Sequence, residues 1–187
     1  MNKEALITLL QDTGVLLNGH FQLTSGRHSG QFLQCSQLLQ YPDKAETVCR
    51  LMAEPYRKTG IETVIGPAMG GILLAYEVAR QLGARAVFTE KDNGQMALKR
   101  GFTISPGEKV LVVEDAVTTG GSVEKVLAIL RQIGASIVAV SVIVDRSAVA
   151  PDFKLPMHAL LKFEIESYVS GDCPLCRAGI PLVKPKA

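Results

Sequence analysis

The sequence predicts an α/β protein built on a parallel sheet, and three observations carry that prediction. Short apolar runs typical of buried strands alternate with segments of helical periodicity along most of the chain. Gly-rich turns follow two of these runs, at residues 66–71 and 118–122. Each turn leads directly into a helical pattern, an order typical of parallel strands joined by crossover helices.

The individual elements follow from apolar spacing and from the residues that interrupt it. Helices are predicted over residues 3–12, 43–58, 72–82 and 123–130. Strands are predicted as a pair within 20–34 and then at 63–65, 86–88, 110–113, 137–144 and 157–165. Pro55 should kink or end the second helix and Gly83 can close the third, while Asn93-Gly94 signals a hairpin turn.

Length and composition restrict the class of protein. The 187 residues are 47% hydrophobic and 20% charged, which predicts one folded domain rather than a disordered chain. A formal net charge of +2 is too small to indicate a nucleic-acid partner. The longest apolar run, 137–144, is too short for a membrane span, and the N-terminal sequence lacks the apolar region of a signal peptide. We therefore expect a cytosolic protein with no membrane partner, whose four cysteines are reduced.

The most informative stretch is residues 110–122, which read VLVVEDAVTTGGS. Four apolar residues predict a buried central strand, and Glu114 and Asp115 follow where that strand should end. A turn of small and hydroxyl residues then leads into a helix, an order that can bind an anion through backbone N–H groups. The two carboxylates can accept hydrogen bonds from sugar hydroxyls or hold a divalent cation. Together these features indicate a phosphorylated ribose; the alternative is an ordinary turn in which Ser and Thr cap the helix.

This stretch resembles the phosphoribosyl-diphosphate motif of the type I phosphoribosyltransferases, which transfer phosphoribose from the diphosphate to a nucleobase. The resemblance covers nearly the whole chain. It implies the type I phosphoribosyltransferase fold, a mainly parallel five-stranded sheet flanked by helices within one domain of residues 1–187. A small hood would be built from an N-terminal segment, roughly residues 1–40, and a C-terminal segment, roughly residues 150–187.

The resemblance also implies roles for the motif. Glu114 and Asp115 would hold the ribose hydroxyls as catalytic residues. The 5-phosphate would lie against the turn formed by Ala116, Val117, Thr118, Thr119, Gly120, Gly121 and Ser122. Mg²⁺ is the implied cofactor, held through the substrate's diphosphate and ribose hydroxyls, with no certain ligand from the protein. No residue needs to act as a nucleophile.

A second resemblance, to the orotate branch of the family, lies near the N-terminus. That branch carries the pattern Phe-x-Leu-x-Ser-Gly-x-x-Ser in the segment that covers the base. The matching residues here are Phe21, Leu23, Ser25, Gly26 and Ser29. Many members have Lys two residues before the Gly, where this chain has Thr24. The resemblance implies orotate contacts from Ser25, Gly26, Arg27, Phe32 and Thr118; the alternative is an exposed polar loop.

An arginine follows the strand predicted at 137–144. Arg146 stands where the orotate enzymes have the Arg that binds the carboxylate of orotate, and such a side chain can donate bidentate hydrogen bonds. The alternative is a surface ion pair with Asp145.

Two further segments would serve the diphosphate. In the family the turn at residues 66–71 holds that group, and some orotate enzymes have Lys where this chain has Gly70. Lys91, Lys99 and Arg100 lie on the predicted hairpin, where the family has a mobile loop that reaches into the partner subunit's site. The loop here is shorter than the long-loop pattern and has no His. The resemblance implies catalytic roles for Lys99 and Arg100 and a homodimer with shared active sites; the alternatives are a tight connection and a solvated loop.

The function that the resemblance implies is orotate phosphoribosyltransferase, with orotate and phosphoribosyl diphosphate as small-molecule substrates. Two alternatives stay open. One is a phosphoribosyltransferase for a purine base, which would need no anchor for a carboxylate. The other is a non-enzymatic regulator that senses phosphoribosyl diphosphate, although such proteins usually carry a basic DNA-binding segment that is not evident here.

The cysteines offer one further pattern. Cys173-Pro174-Leu175-Cys176 looks like half of a zinc knuckle. Zinc needs four ligands, and the sequence has no second cysteine pair nearby. We therefore expect reduced, unligated cysteines.

Overall fold

A computed structural model describes residues 2–23, 25–163 and 166–185, so Thr24 lies outside the described residues. The chain divides into two compact units, Met1–Leu38 with Glu164–Ala187, and Leu39–Phe163. We call them the small unit and the large unit. The hood expected from residues 1–40 and 150–187 stays a prediction; residues 150–163 belong to the large unit.

The small unit is built around an antiparallel strand pair. Helix α1 (Lys3–Asp12) precedes strands β1 (Leu16–Gln22) and β2 (His28–Leu33), which confirms the strand pair predicted within 20–34. The C-terminal segment adds a short 3₁₀ turn, Ser170–Asp172, and the four-residue helix α5 (Pro174–Arg177). Backbone hydrogen bonds join this segment to both strands, at His28 with Tyr168 and at His20 and Gln22 with Val183.

The large unit contains one six-stranded sheet. Its strands are β3 (Thr63–Pro67), β4 (Arg85–Asp92), β5 (Gln95–Leu98), β6 (Lys109–Val117), β7 (Ser136–Asp145) and β8 (Met157–Lys162). The spatial order is β5-β4-β3-β6-β7-β8, and every neighbouring pair is parallel except β4 with β5. The mainly parallel sheet is confirmed. It has six strands rather than five because the second arm of the Asn93-Gly94 hairpin pairs with β4.

Three helices cover this sheet: α2 (Pro42–Ala53), α3 (Gly70–Leu82) and α4 (Gly121–Ile133). The helix predicted over 43–58 ends at Ala53, and a 3₁₀ turn containing Pro55 follows, because proline cannot continue the backbone ladder. Gly83 closes α3 in the left-handed conformation, as predicted. Among the described residues, none of the helices has both the length and the apolar character that a membrane span requires.

Strand β6 lies at the centre of the core of the large unit. Its strand residues Val110 and Val112 are fully buried, and they belong to the same cluster as Val126, Leu127 and Leu130 of α4. Because β6 lies between β3 and β7 and its helix is held against the sheet, the turn that joins β6 to α4 has a fixed position.

Candidate functional site

The acidic pair lies within β6 and not beyond its end. The sequence suggested that the strand stops before Glu114, but β6 continues to Val117 because β7 offers pairing partners as far as Asp145. Glu114 is only 7% exposed, and Asp115 is half-buried. The Asp115 backbone N–H donates to Glu114 Oε1 at 3.0 Å, and the Ala116 N–H donates to Asp115 Oδ1 at 2.6 Å. Backbone hydrogen bonds therefore fix both carboxylates near the carboxyl end of the central strand.

Burial changes the protonation of this pair. Loss of solvent, and then the neighbouring Asp115 charge, raises the pKa of Glu114 to about 8. Burial also raises the pKa of Asp115, although the Ala116 N–H, Glu114 and the positive charge of Arg146 act against it. Near neutral pH the unliganded pair therefore retains a proton, which sugar hydroxyl donors or a cation would displace.

Beyond the acidic pair, the turn into α4 forms a cavity of about 190 Å³. Its wall consists of Glu114 and every residue from Ala116 to Val123, so it includes all seven predicted turn residues and adds Val123. Helix α4 begins here with Gly120 at the N-cap and no side-chain cap hydrogen bond. The alternative in which Ser or Thr caps the helix is therefore wrong. First-turn N–H groups without a capping side chain, together with the helix dipole, make this end suited to an anion.

Gly120 is required by both its conformation and its surroundings. Its φ of +79° is one that residues with side chains rarely adopt. A Cβ at this position would lie 2.7 Å from Phe153 and 3.0 Å from Pro151. The segment that follows β7 therefore closes against the turn, a contact that the sequence pattern did not indicate.

The second Gly-rich turn approaches the acidic pair through Gly70. A Cβ on Gly70 would lie 2.8 Å from Asp115 Oδ2, so the backbone at the start of α3 lies directly beside that carboxylate. Gly66 and Gly71 also touch each other, and a Cβ on Gly66 would lie 2.4 Å from the Gly71 carbonyl oxygen. The structure thus brings Gly70, at the start of α3, together with Asp115 of β6, the strand next to β3.

Arg146 lies at the end of β7, next to the same edge. Its backbone N–H donates to the Val117 carbonyl at 2.7 Å, and its positive charge lowers the pKa of Asp115. The alternative pairing with Asp145 is not among the ion pairs of the described residues. Asp145 Oδ1 instead accepts from the backbone N–H and the hydroxyl of Ser147, at 2.9 and 2.5 Å.

The predicted hairpin is present, with its basic residues exposed. Lys99 forms an ion pair with Asp92 at 3.2 Å, and the Arg100 guanidinium donates two hydrogen bonds to Glu90, at 2.9 and 3.0 Å. Among the described residues, neither these two nor Lys91 belongs to the cavity wall. For Lys99 and Arg100, the predicted contact with the diphosphate would first require these ion pairs to open.

The residues that resemble the orotate-branch segment lie in the small unit. Ser25, Gly26 and Arg27 are exposed at the turn between β1 and β2, and Phe32 is half-buried with its ring 5.7 Å from that of Phe21. Arg27 Nε donates to the Ser167 hydroxyl at 2.8 Å. Their role toward a base stays a prediction.

Comparisons with known proteins identify the family of the chain. A model of the phosphoribosyl transferase domain matches residues 34–154. The chain is 50% identical over 185 residues to the orotate phosphoribosyltransferase of Desulforamulus reducens, covering 99% of this chain and 97% of that protein. It is also 50% identical over 177 residues to the protein of the same name from Thermotoga maritima, covering 95% of each chain.

Solved structures share the fold at lower sequence identity. The orotate phosphoribosyltransferase of Aeropyrum pernix superposes with a TM-score of 0.72 at 24% identity, covering 84% of this chain and 93% of that one. The adenine phosphoribosyltransferase of Rhodothermus marinus gives 0.69 at 20% identity, covering 87% and 100%. A family model that matches most of the chain and relatives at 50% identity over nearly its full length lead to one conclusion. The chain belongs to the phosphoribosyltransferase family, and within it to the orotate phosphoribosyltransferases.

Proposed function

We propose that this protein converts orotate and phosphoribosyl diphosphate to orotidine 5'-monophosphate and diphosphate, a step of pyrimidine biosynthesis. One observation carries the proposal: one cavity is lined by buried Glu114 and by an uncapped helix N-terminus, with half-buried Asp115 next to Glu114 in the strand. That arrangement suits a ligand with a phosphate at one end and a sugar diol next to it. The curated relatives at 50% identity bear the name of this activity.

In this proposal the 5-phosphate lies against the backbone of residues 118–122, where N–H groups and the Thr118, Thr119 and Ser122 hydroxyls can donate. Glu114 and Asp115 accept hydrogen bonds from the two ribose hydroxyls. Because each carboxylate already accepts one backbone N–H, its rotation is restricted before the substrate arrives. The pair thus orients the ribose ring rather than attacking it.

The donor set at this edge also fits the implied cofactor. Carboxylate oxygens are hard ligands of the kind that Mg²⁺ accepts alongside substrate phosphates, and Glu114 and Asp115 supply them near the diol position. When bound, Mg²⁺ would neutralise charge on the diphosphate. We keep the expectation that it is held mainly through the substrate, with this pair as the protein groups nearest to it.

The chemical step exchanges one bond at the anomeric carbon for another. The bond from C1 to the diphosphate oxygen breaks, and the diphosphate leaves with the electron pair. The N1 lone pair of orotate forms the new bond, and N1 loses its proton. A transition state with oxocarbenium character needs positioning and charge stabilisation more than a protein nucleophile.

Arg146 is the proposed anchor for the carboxylate of orotate. Arg146 follows β7, and its backbone N–H bonds Val117 of β6, which places it near the acidic pair, where the base must meet C1; its charge lowers the pKa of Asp115. A guanidinium can hold a carboxylate with two parallel hydrogen bonds. A purine base offers no such group, and this difference separates the proposal from the purine alternative.

The diphosphate is assigned to Gly70, Lys91, Lys99 and Arg100, with the basic hairpin acting in a homodimer. Solvent screens exposed ion pairs such as Arg100–Glu90, so they stabilise the fold little and a diphosphate can compete for these side chains. A surface for the second copy is available at α3, where Met69 at the N-cap and Leu73 and Tyr76 within the helix are 82%, 54% and 65% exposed at helical spacing.

The proposal is tested by offering orotate, adenine and hypoxanthine separately with phosphoribosyl diphosphate and Mg²⁺. We expect orotate alone to be consumed. Arg146→Ala should raise the KM for orotate roughly 30- to 150-fold, a loss of about 2–3 kcal/mol, with little change in the KM for phosphoribosyl diphosphate. Arg57→Ala, an exposed arginine paired with Glu54, is the matched control. Turnover of a purine with orotate left intact would overturn the proposal.

The shared site is tested by mixing subunits. Asp115→Asn and Lys99→Ala proteins, each inactive alone, are allowed to exchange chains. If the hairpin acts across a two-fold axis, the heterodimer has one intact site and regains about half of the wild-type activity. Exchange without any recovery would place the hairpin's action within its own chain.

A further inference from the structure

Four side chains that the proposed reaction does not use converge in the small unit. They come from both strands and from the C-terminal segment, and we call them the histidine–cysteine cluster: His20, His28, Cys173 and Cys176. Their nearest ligand atoms all lie within 4.8 Å of one another. The first three residues are buried, and Cys176 is exposed.

Four separations within the cluster, from 3.1 to 3.8 Å, lie close to those of ligands around one tetrahedral cation. His20 Nε2 lies 3.1 Å from His28 Nδ1 and 3.5 Å from Cys173 Sγ. Cys176 Sγ lies 3.3 Å from His28 Nδ1 and 3.8 Å from His20 Nε2. Zinc bonds of about 2.0–2.1 Å to nitrogen and 2.3 Å to sulfur require ligand atoms roughly 3.3–3.8 Å apart in a tetrahedron.

The orientation of His20 is set by a backbone carbonyl. His20 Nδ1 lies 2.7 Å from the Ile180 oxygen, and because that oxygen can only accept, Nδ1 carries the proton. In the neutral ring, Nε2 then presents its lone pair to the other three groups. A metal-binding histidine typically donates its second ring N–H to a carbonyl or carboxylate in this way.

Hydrogen bonding alone leaves the cluster poorly satisfied. If His28 Nδ1 carries a proton, it donates to His20 Nε2, and the thiol of Cys173 must compete for the same lone pair. If His28 Nδ1 is unprotonated, two nitrogen lone pairs face each other at 3.1 Å. A cation that accepts both nitrogens and both sulfurs removes either conflict.

The C-terminal segment also has little else to hold it. Among described residues 166–185, only Cys173 is buried. Apart from the cluster and the His20–Ile180 hydrogen bond, its attachments include backbone hydrogen bonds near Tyr168 and Val183 and side-chain bonds from Arg27 and Ser29. Segments with so few apolar contacts are commonly fixed by a metal or a disulfide.

We propose that the histidine–cysteine cluster binds one structural Zn²⁺. Two sulfur and two nitrogen donors favour zinc over the harder Mg²⁺. Both thiols lose their protons on binding, so the bound ion and its two thiolates carry no net charge. Exposed Cys176 provides the route of entry. The ion fixes the C-terminal segment to β1 and β2. This site is independent of the proposed reaction, and its test does not depend on activity.

The test begins with the full chain purified under reducing conditions. Elemental analysis should find about one zinc per chain, released when a mercurial reagent titrates the thiols. Cys176→Ser and His28→Gln should each lower the zinc content at least about tenfold. Replacing the chain's other two cysteines together, Cys35→Ala with Cys49→Ala, should leave the zinc in place, as should His158→Gln at the remaining histidine.

If a variant fails to fold, cobalt substitution of the wild-type protein tests whether the cluster binds a metal. Co²⁺ added to chelator-treated, reduced protein should produce the intense visible bands of a tetrahedral, thiolate-ligated ion. Two results would overturn the proposal. One is wild-type zinc content in Cys176→Ser. The other is reduced wild-type protein that takes up neither Zn²⁺ nor Co²⁺, in which case a Cys173–Cys176 redox pair is the alternative.

Discussion

Different interactions stabilise the interior of each compact unit. The large unit surrounds β6 with fully buried apolar side chains from its neighbouring strands and from α4. In the small unit, α1, β1 and β2 bury some apolar residues, but the C-terminal segment contributes only Cys173 among its described residues. Burying a Val or Leu side chain contributes about 1.5–3 kcal/mol, whereas a backbone hydrogen bond contributes about 0.5–1.5 kcal/mol net.

This difference matches the tasks that we assign to the units. Chemistry on a ribose needs carboxylates and N–H groups that do not move when the substrate binds, and a close-packed sheet provides that rigidity. A segment held mainly by polar contacts can be rearranged at lower cost. The predictions below test whether the large unit carries the catalysis and the cooperative core, and whether the polar contacts of the small unit are weak.

The largest expected effect is on turnover. Asp115→Asn keeps the shape of the side chain but removes a charge beside the ribose, so kcat should fall about 100- to 1000-fold. The melting temperature should not fall, because the mutation removes a buried charge. Steady-state kinetics and calorimetry check this, with exposed Asp152→Asn as the control. Near-normal turnover would remove Asp115 from the catalytic group.

The next effect is on the core of the large unit. Leu130 of α4 is fully buried, and Leu130→Ala should lower the free energy of unfolding by about 3 kcal/mol through lost contacts and a residual cavity. Val149 is 84% exposed, so Val149→Ala should change stability by less than about 0.5 kcal/mol. Denaturant titration measures both. Similar losses at the two positions would contradict our description of the core.

A pH-dependent effect is expected from Glu114. In the folded, unliganded protein its pKa is about 8, whereas the ordinary value is 4.5. The unfolded chain therefore binds fewer protons between these values, and the free energy of unfolding falls as the pH rises through that range. Glu114→Gln cannot ionise, so the variant should be about 2 kcal/mol more stable than the wild type above pH 8 and nearly equal to it at pH 4.5. Parallel stability curves for the two proteins would contradict this.

The smallest effect is expected in the small unit. Arg27 is exposed and donates to Ser167, so Arg27→Ala should lower the free energy of unfolding by less than about 1 kcal/mol. Hydrogen exchange should instead become faster at the neighbouring amides of His28 and Tyr168, which bond each other. A loss above about 2 kcal/mol would mean that this polar contact is as important as a core leucine.

Sequence predicts most where the interacting residues are close along the chain. The strand, acidic pair, turn and helix of residues 110–133 are contiguous, and the structure places the turn residues on one cavity wall. The strand's true end at Val117 was missed because it depends on pairing with β7, which periodicity within β6 does not report. The closure of Phe153 onto Gly120 was missed for the same reason.

The histidine–cysteine cluster is the clearest case of a feature that sequence alone did not reveal. The sequence has no second cysteine pair near Cys173 and Cys176, and the side chains that join them come from β1 and β2, at His20 and His28. Two histidines in an otherwise alternating strand pattern are ambiguous until the fold shows what faces them. The register of β1 with β2, in which Phe21 pairs with Ser29 and Gln22 with His28 across an irregularity, contributes to that arrangement.

The small unit consists of two segments that are distant along the chain, and this affects its folding during synthesis on the ribosome. The large unit occupies one continuous stretch, so it can fold as soon as Phe163 has emerged. β1 and β2 are made long before the residues around Tyr168 and Val183 that bond them. Throughout that interval the strand pair has unsatisfied backbone groups, and a nascent chain stalled within the large unit should expose them to chaperones and proteases.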